Sequence, residues 1–431
     1  MRRFVVIAML ALAMLAAACL WPQPPSAPDT IAVAPLHLLV VGDPFAAVLE
    51  RQAAAILGPA GLHATFERAG YDATRRIILA EHEAPSGAFD LVAFDVVWTA
   101  ELARRGALLP VDELCAADPS IDLSGYLQPA MAGLRWEGRL YGLPIQPHAE
   151  LLWGRSDLLA TAGLAMPRTP AELLAAARAL HRPEAGVYGI VWNAQRGSAL
   201  GQTMAHLYAA FGQRLLDDTG RPTLDGPGAQ AAASFVRDLV AVSPPDILTT
   251  AWDQRRRRFI AGQAALTFEW GARMGEGLRS ADCQVAGKVV CAPPPVAPGV
   301  APVASFGTWC LGIPASARPR SAAAWRALAA VCGPAGARRL AEQGNAGVAL
   351  RALLDDSELG RPYAGLFPVM RELDTTAAFS PHVRPNTPYW DQLCHTLGEV
   401  FHEVLSGGQD PATAPAEAQR RALELWSRPV S

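Results

Sequence analysis

Past residue 35, apolar runs of strand length alternate with segments of helical period. This alternation constrains the fold more than any other feature of the chain. Leu36 to Val41 is a continuous apolar run closed by Gly42-Asp43-Pro44, which reads as a buried strand, a turn and a helix start. Phe45 to Leu57 has helical spacing, His63 to Phe66 reads as a second strand, and Thr74 to Glu83 as a helix. Phe89 to Phe94 is another strand, followed by a short helix, Ala100 to Arg105, that stops at Gly106. Apolar strands between helices predict an α/β fold whose mostly parallel sheet is covered on both faces. The pattern resumes later. Ala149 to Trp153, Ala264 to Trp270, Val289 to Ala292 and Phe306 to Ile313 read as strands. Pro170 to Leu180, Ala229 to Val242, Ala322 to Cys332, Gln392 to Leu405 and Glu417 to Trp426 read as helices.

The chain has 431 residues, 51% of them apolar, enough for a large core and for two or three domains. Charged residues make up 18% and the net charge is −3, so no basic field is available for nucleic acid or an anionic membrane. Arginine supplies nearly all the positive charge, Lys288 being the single lysine. No apolar run after the first nineteen residues is long enough to cross a membrane.

Those first residues carry an address. Arg2 and Arg3 precede the apolar run Phe4 to Ala18, and Ala16-Ala17-Ala18 precede Cys19. A basic start, an apolar stretch and small residues before a cleavage point are the parts of a secretory signal peptide. With cysteine directly after that point, the segment also resembles a bacterial lipobox. That resemblance implies lipidation of Cys19; ordinary cleavage after Ala18 and an uncleaved anchor are the alternatives. Each places the protein outside the cytoplasm, periplasmic or at the cell surface. Residues 19–35 are rich in proline and read as a tether.

Six further cysteines in an oxidising compartment permit disulfides. Cys283 and Cys291 flank a Gly-Lys turn and are expected to staple a hairpin; the pairing of Cys115, Cys310, Cys332 and Cys394 is left open by their spacing. No C-x-x-C and no His/Cys/carboxylate cluster at ligand spacing is present, so neither a metal nor a cofactor is expected. The G-x-S-x-G, H-E-x-x-H and phosphate-loop signatures are missing, and the chain does not read as an enzyme.

Four segments in order resemble the family 1 extracellular solute-binding proteins of bacterial ABC importers, the maltose-binding-protein-like group. They are Phe89 to Leu114, with Asp95-Val96-Val97-Trp98 and Gly106-Ala107-Leu108-Leu109-Pro110; Gly138 to Leu173, with Tyr141-Gly142-Leu143-Pro144; Gly262 to Trp270; and Ser305 to Ile313. Arg384-Pro385 and Tyr389-Trp390 extend the resemblance into the tail. Gly154, before Arg155, stands where the family usually has tyrosine.

The resemblance implies a two-lobe periplasmic-binding-protein fold of the second topological type, with discontinuous lobes. Lobe one would be residues 36–147 plus 302–357, and lobe two 148–301 plus 358–431, with crossings at Pro144–Ala149 and Ala301–Ser305. It further implies a monomer that captures a carbohydrate or polyol between the lobes and delivers it to membrane permease subunits. Non-sugar solutes (a polyamine, an amino-acid derivative, a glycerophospho compound) and a sensor or partner-binding role remain open.

A sugar site needs aromatic faces for the apolar side of the ring and planar polar groups for its hydroxyls. Candidates at strand ends facing a cleft are Asp43 and Phe45, Asp95 and Trp98, and Glu269 and Trp270. His148 and Glu150 sit on a crossing strand, and Trp309 follows Gly307, which would let a ligand approach the backbone. Arg384 offers a paired donor, and Tyr389 and Trp390 offer stacking surfaces. Trp192, beside Asn193 and Gln195, is a further polar-aromatic position. Arg255 to Arg258 spread round a helix axis and are expected to form a solvated face.

Overall fold

The computed structural model describes residues 35–427. Cys19, its signal segment and the tether lie outside the described residues. The first half opens with β1 (Leu36–Val41), α1 (Pro44–Leu57), β2 (Ala64–Ala69), α2 (Tyr71–Glu83) and β3 (Leu91–Asp95). β1 pairs in parallel with both β2 and β3. Every residue of β3 is buried, as a central strand covered on both faces requires. β2 lies at the sheet edge, and none of its residues is fully buried. A two-residue hairpin, β4 (Arg135–Trp136) and β5 (Arg139–Leu140), turns through Glu137 and Gly138 at φ 48° and 78°, the left-handed pair that matches strand twist.

β6 (Leu143–Arg155) organises the molecule. Three strands reach it later in the chain: β8 (Ala264–Trp270), β9 (Val289–Ala292) and β10 (Phe306–Gly312); β7 (Tyr188–Val191) pairs in parallel with β8. Over Leu143–Ala149, β6 runs antiparallel to β10, which in turn pairs with β3. From Glu150 onward it pairs instead with β8 and β9. The sheet order is β2-β1-β3-β10-β6-β8-β7, and β6 carries the chain from one half to the other. The strand is longer than the Ala149–Trp153 run and takes in Pro144 and Pro147, which cannot donate to a ladder. Pro144 sits where the ladder slips: Trp309 faces Gln146 and Cys310 faces Pro144, leaving Ile145 as the extra residue of a bulge, while Pro147 stays in register with Thr308.

The helices that matter for the site are α3 (Ser198–Ala210), α4 (Trp252–Ile260), α5 (Gly271–Gly277) and α6 (Trp390–Leu405). α3 escapes sequence reading because it has no exposed face: of its thirteen residues only Ala209 is not buried. It packs on α6 through glycine. A Cβ on Gly201 would fall 1.9 Å from Cys394 O, and one on Gly398 would fall 1.9 Å from Gly197 O. Backbone cannot yield as a side chain can. Gly398→Ala is therefore expected to lower stability by about 1–3 kcal/mol, the usual range for overpacking, read from urea unfolding. A cost near zero would mean the helices separate freely.

The expected Cys283–Cys291 staple is not formed, and all six described cysteines are free. β9 pairs with β6 rather than with the segment holding Cys283, and the Cys291 thiol donates to Ala364 O at 3.5 Å. Among the described residues, no helix is long and apolar enough to cross a membrane.

Candidate functional site

The strands of both halves end at a shared cavity of about 410 Å³. From one side come Val41, Gly42 and Asp43 after β1, Gly70 to Ala73 at the head of α2, Asp95 at the end of β3, and Thr308 and Trp309 of β10. From the other come His148 of β6, Trp270 at the end of β8, Arg273 of α5, Trp252 and Asp253 of α4, and Gln202 of α3; Arg384 closes one wall. Placing polar groups at strand ends is what an α/β sheet does, because the strands deliver side chains there without breaking their ladders.

Two arginines and their carboxylate partners dominate the walls. Arg384 Nη2 donates to Asp95 Oδ2 at 2.6 Å, and the Tyr71 hydroxyl donates to the same oxygen at 2.9 Å. The guanidinium is held between the rings of Trp270 and Trp390, at 5.2 and 5.6 Å from their centroids. Arg273 bridges Asp43 and Asp253, with both contacts at 2.5 Å. Burial works against its charge, but Asp43, Glu269 and Asp253 outweigh burial and hold it firmly protonated. Four buried wall atoms have no hydrogen-bond partner in the protein: Asp43 Oδ1, His148 Nδ1, Arg273 Nε and Arg384 Nε. They are one acceptor, two donors and one tautomer-dependent nitrogen, each with under 1 Å² of accessible surface.

His148 is the neutral member of the wall. Burial first, then the charges of Arg384 and Arg273, push its pKa down to about 3. The folded protein therefore resists protonation there, while the unfolded chain takes up a proton near the ordinary value of 6.5. Stability should be full above pH 6.5 and fall as pH drops from 6.5 towards about 3, by up to about 1.4 kcal/mol per pH unit. Melting temperatures across this range, compared with those of His148→Gln, check the point. The variant should show a shallower acid limb, and parallel curves would remove His148 from the account.

Six expected residues line the cavity: Asp43, Asp95, His148, Trp270, Trp309 and Arg384. Six do not. Phe45 lies stacked against Trp309, with ring centroids 6.0 Å apart. Trp98 is 1% exposed because Val96–Trp98 is a helical turn, not strand, and the turn swings the indole behind Tyr71 and Trp309. Glu269 is fully buried beside the end of β8, outside the cavity lining. There it meets Arg255, as does Glu150. Tyr389 stacks on Trp426, and Trp390 lies behind Arg384. Trp192 is a core residue whose indole N–H donates to Ser243.

Two further expectations are corrected. Gly307 leaves room not for a ligand but for Arg384 and His148: a Cβ there would lie 2.6 Å from Arg384 Nη1 and 3.0 Å from His148 Nε2. Arg255 is fully buried, while only its three neighbours face solvent to any degree. Tyr71, Asp72, Gln202, Trp252, Asp253, Arg273 and Thr308 were not anticipated. Gly70 before α2 repeats the strand–glycine–helix pattern of Gly42 after β1, and that signal would have found Tyr71 and Asp72. Asp72, Asp391 and His395 also bring ligand atoms within 4.8 Å of one another near the rim, although Asp391 already pairs with Arg75 at 3.5 Å.

Known proteins share this architecture. The chain is 27% identical to the ABC transporter solute-binding protein of Agrobacterium radiobacter K84 crystallised with ribitol, with a TM-score of 0.84 over 90% of this chain and 98% of that one. It shares the fold of maltose-bound MalE3 from T. maritima, at TM-score 0.81 and 23% identity over 90% and 99% of the two chains. It is 30% identical over 243 residues to the mannitol-binding protein of Pseudomonas aeruginosa, a match that spans 55% of each chain and so about half of that relative's length. Residues 60–338 match the bacterial extracellular solute-binding protein family. That match covers more than half of the chain, and the two-lobe α/β architecture agrees with it: the chain belongs to this family.

Proposed function

We propose that the protein is the substrate-binding component of an ABC importer, and that it captures a neutral polyol or small carbohydrate in this cavity for delivery to a membrane permease. The observation that carries the reading is one cavity in which polar side chains from both halves, Asp43, Asp95, Arg273 and Arg384, stand beside the tryptophans Trp252, Trp270 and Trp309. Hydroxyls pair with the polar atoms and the C–H face packs on indole. The ribitol complex and the mannitol-binding relative support the ligand class. The lobes are residues 36–147 plus 302–357 and 148–301 plus 358–431. The change of β6 partners at Ala149/Glu150 supports that division, with the crossing inside Pro144–Ala149. Export, with a lipid on Cys19 as tether, completes the proposal and keeps the mature monomer beside its permease.

The lining holds four carboxylates, Asp43, Asp72, Asp95 and Asp253, against two guanidiniums, Arg273 and Arg384. That balance disfavours anionic solutes. A thermal-shift panel tests the reading. D-Mannitol, ribitol or D-glucose should raise the melting temperature, since a ligand at about 100 times its Kd adds about 2.7 kcal/mol. D-Gluconate and glycerol 3-phosphate should not. A shift with putrescine and none with any polyol or sugar would overturn the ligand class. The solute should be recovered chemically unchanged after incubation.

A further inference from the structure

One arginine outside the cavity stands behind three of its walls. Arg255 lies on α4, three residues after Trp252, and has no exposed surface. Its Nη1 donates to Glu150 Oε1 at 2.8 Å, its Nη2 to Glu269 Oε1 at 2.6 Å and its Nε to Glu269 Oε2 at 3.2 Å. Glu150 is two residues beyond His148 on β6, and Glu269 directly precedes Trp270 on β8. Glu269 Oε1 also accepts the Trp270 backbone N–H at 2.8 Å and stands 3.9 Å from Arg273 Nε. One guanidinium thus ties α4, β6 and the end of β8 together, and each of the three delivers a cavity residue.

Stability alone is a poor account of this cluster. Three buried charges carry a large desolvation penalty, and well-packed apolar side chains in their place stabilise as much or more. Two carboxylates on one cation also leave a negative excess next to the cavity. What the cluster supplies is geometry. The guanidinium fork is planar and rigid, and it can grip one carboxylate with two nitrogens while a third reaches another element. A lysine ammonium in the same place is a point charge without that fork.

We propose that Arg255 is a positioning residue for solute binding: through Glu150 and Glu269 it sets the placement of Trp252, Trp270 and Arg273 at the cavity wall. The proposal rests on the reading of this cavity as the solute site. Arg255→Lys tests it, with Arg258→Lys, a half-buried neighbour paired with Asp246 outside the cavity lining, as control and Glu150→Gln as a milder second variant. Three readouts separate positioning from mere support: far-UV circular dichroism for the fold, near-UV dichroism with acrylamide quenching for the tryptophans of the free protein, and calorimetry with D-mannitol for affinity.

Arg255→Lys should keep the far-UV spectrum, lose near-UV tryptophan signal and become more quenchable. Its D-mannitol Kd should rise by about 10- to 100-fold, the range seen when a residue that orients a ligating side chain is lost. Glu150→Gln should move the same quantities less, and Arg258→Lys none of them. If Arg255→Lys does not fold, Glu150→Gln carries the decision through the same readouts. A folded variant with unchanged quenching, or with an unchanged Kd and only a lower melting temperature, would overturn the proposal. Failure of the wild type to bind any polyol or sugar would overturn the proposed function instead, while the tryptophan readouts in the free protein would still decide whether Arg255 sets the wall.

Discussion

Asp95→Ala is expected to destabilise the protein by roughly 3–5 kcal/mol, the range for breaking a buried ion pair by removing one partner. The Arg384 side chain is 4% exposed and that of Asp95 9%, so both charges are largely withdrawn from water. Removing the carboxylate leaves a guanidinium between two indoles with one remaining protein acceptor, Phe306 O at 3.3 Å. It also strips the Tyr71 hydroxyl of its acceptor. Asp95→Asn should recover part of the loss, because an amide oxygen still accepts. Urea unfolding of the three proteins measures the effect. A loss below about 1 kcal/mol for Asp95→Ala would mean that Arg384 swings out to solvent.

Trp270→Ala should weaken binding of the captured solute by roughly 1–3 kcal/mol, about 5- to 150-fold in Kd. The indole is 5% exposed, with His148 edge-on at 4.8 Å and Arg384 over one face, so the part that reaches the cavity is bounded on two sides by fixed groups. Truncation removes a contact surface and also frees Arg384 to move. Calorimetry on the folded variant gives the answer. A lower melting temperature with unchanged Kd would make Trp270 a core residue that merely borders the cavity.

Much of the fold was legible because strands and helices announce themselves through local apolar period and end signals. Leu36–Val41, Ala264–Trp270 and Val289–Ala292 are strands at the residues where the apolar runs begin and end. Pro170–Leu180 is a helix capped by Thr169, as its Thr-Pro start requires. Two kinds of segment were hidden. α3 has no solvent-facing stripe because elements pack round it, and β6 contains prolines, one of them set at a bulge opposite Trp309 and Cys310.

The site divides in the same way. Strand ends of an α/β sheet face a cleft, and that rule alone brings Asp43, Asp95 and Trp270 to the cavity from the positions of their strands. The rule does not say what lies one residue further. Whether Trp98 continues the strand or turns away depends on the backbone after Asp95, and it turns.

Pairing between charges was beyond local reading altogether. Asp95 meets Arg384 across 289 positions, Asp43 meets Arg273 across 230, and Glu150 meets Arg255 across 105. Local sequence sets backbone conformation and which face is apolar, since those energies come from neighbours along the chain. The partner of a buried charge is chosen by which distant side chain the packed elements bring within hydrogen-bond reach. In water each of these groups would be satisfied alone; only exclusion of water by the assembled lobes makes the choice of partner matter.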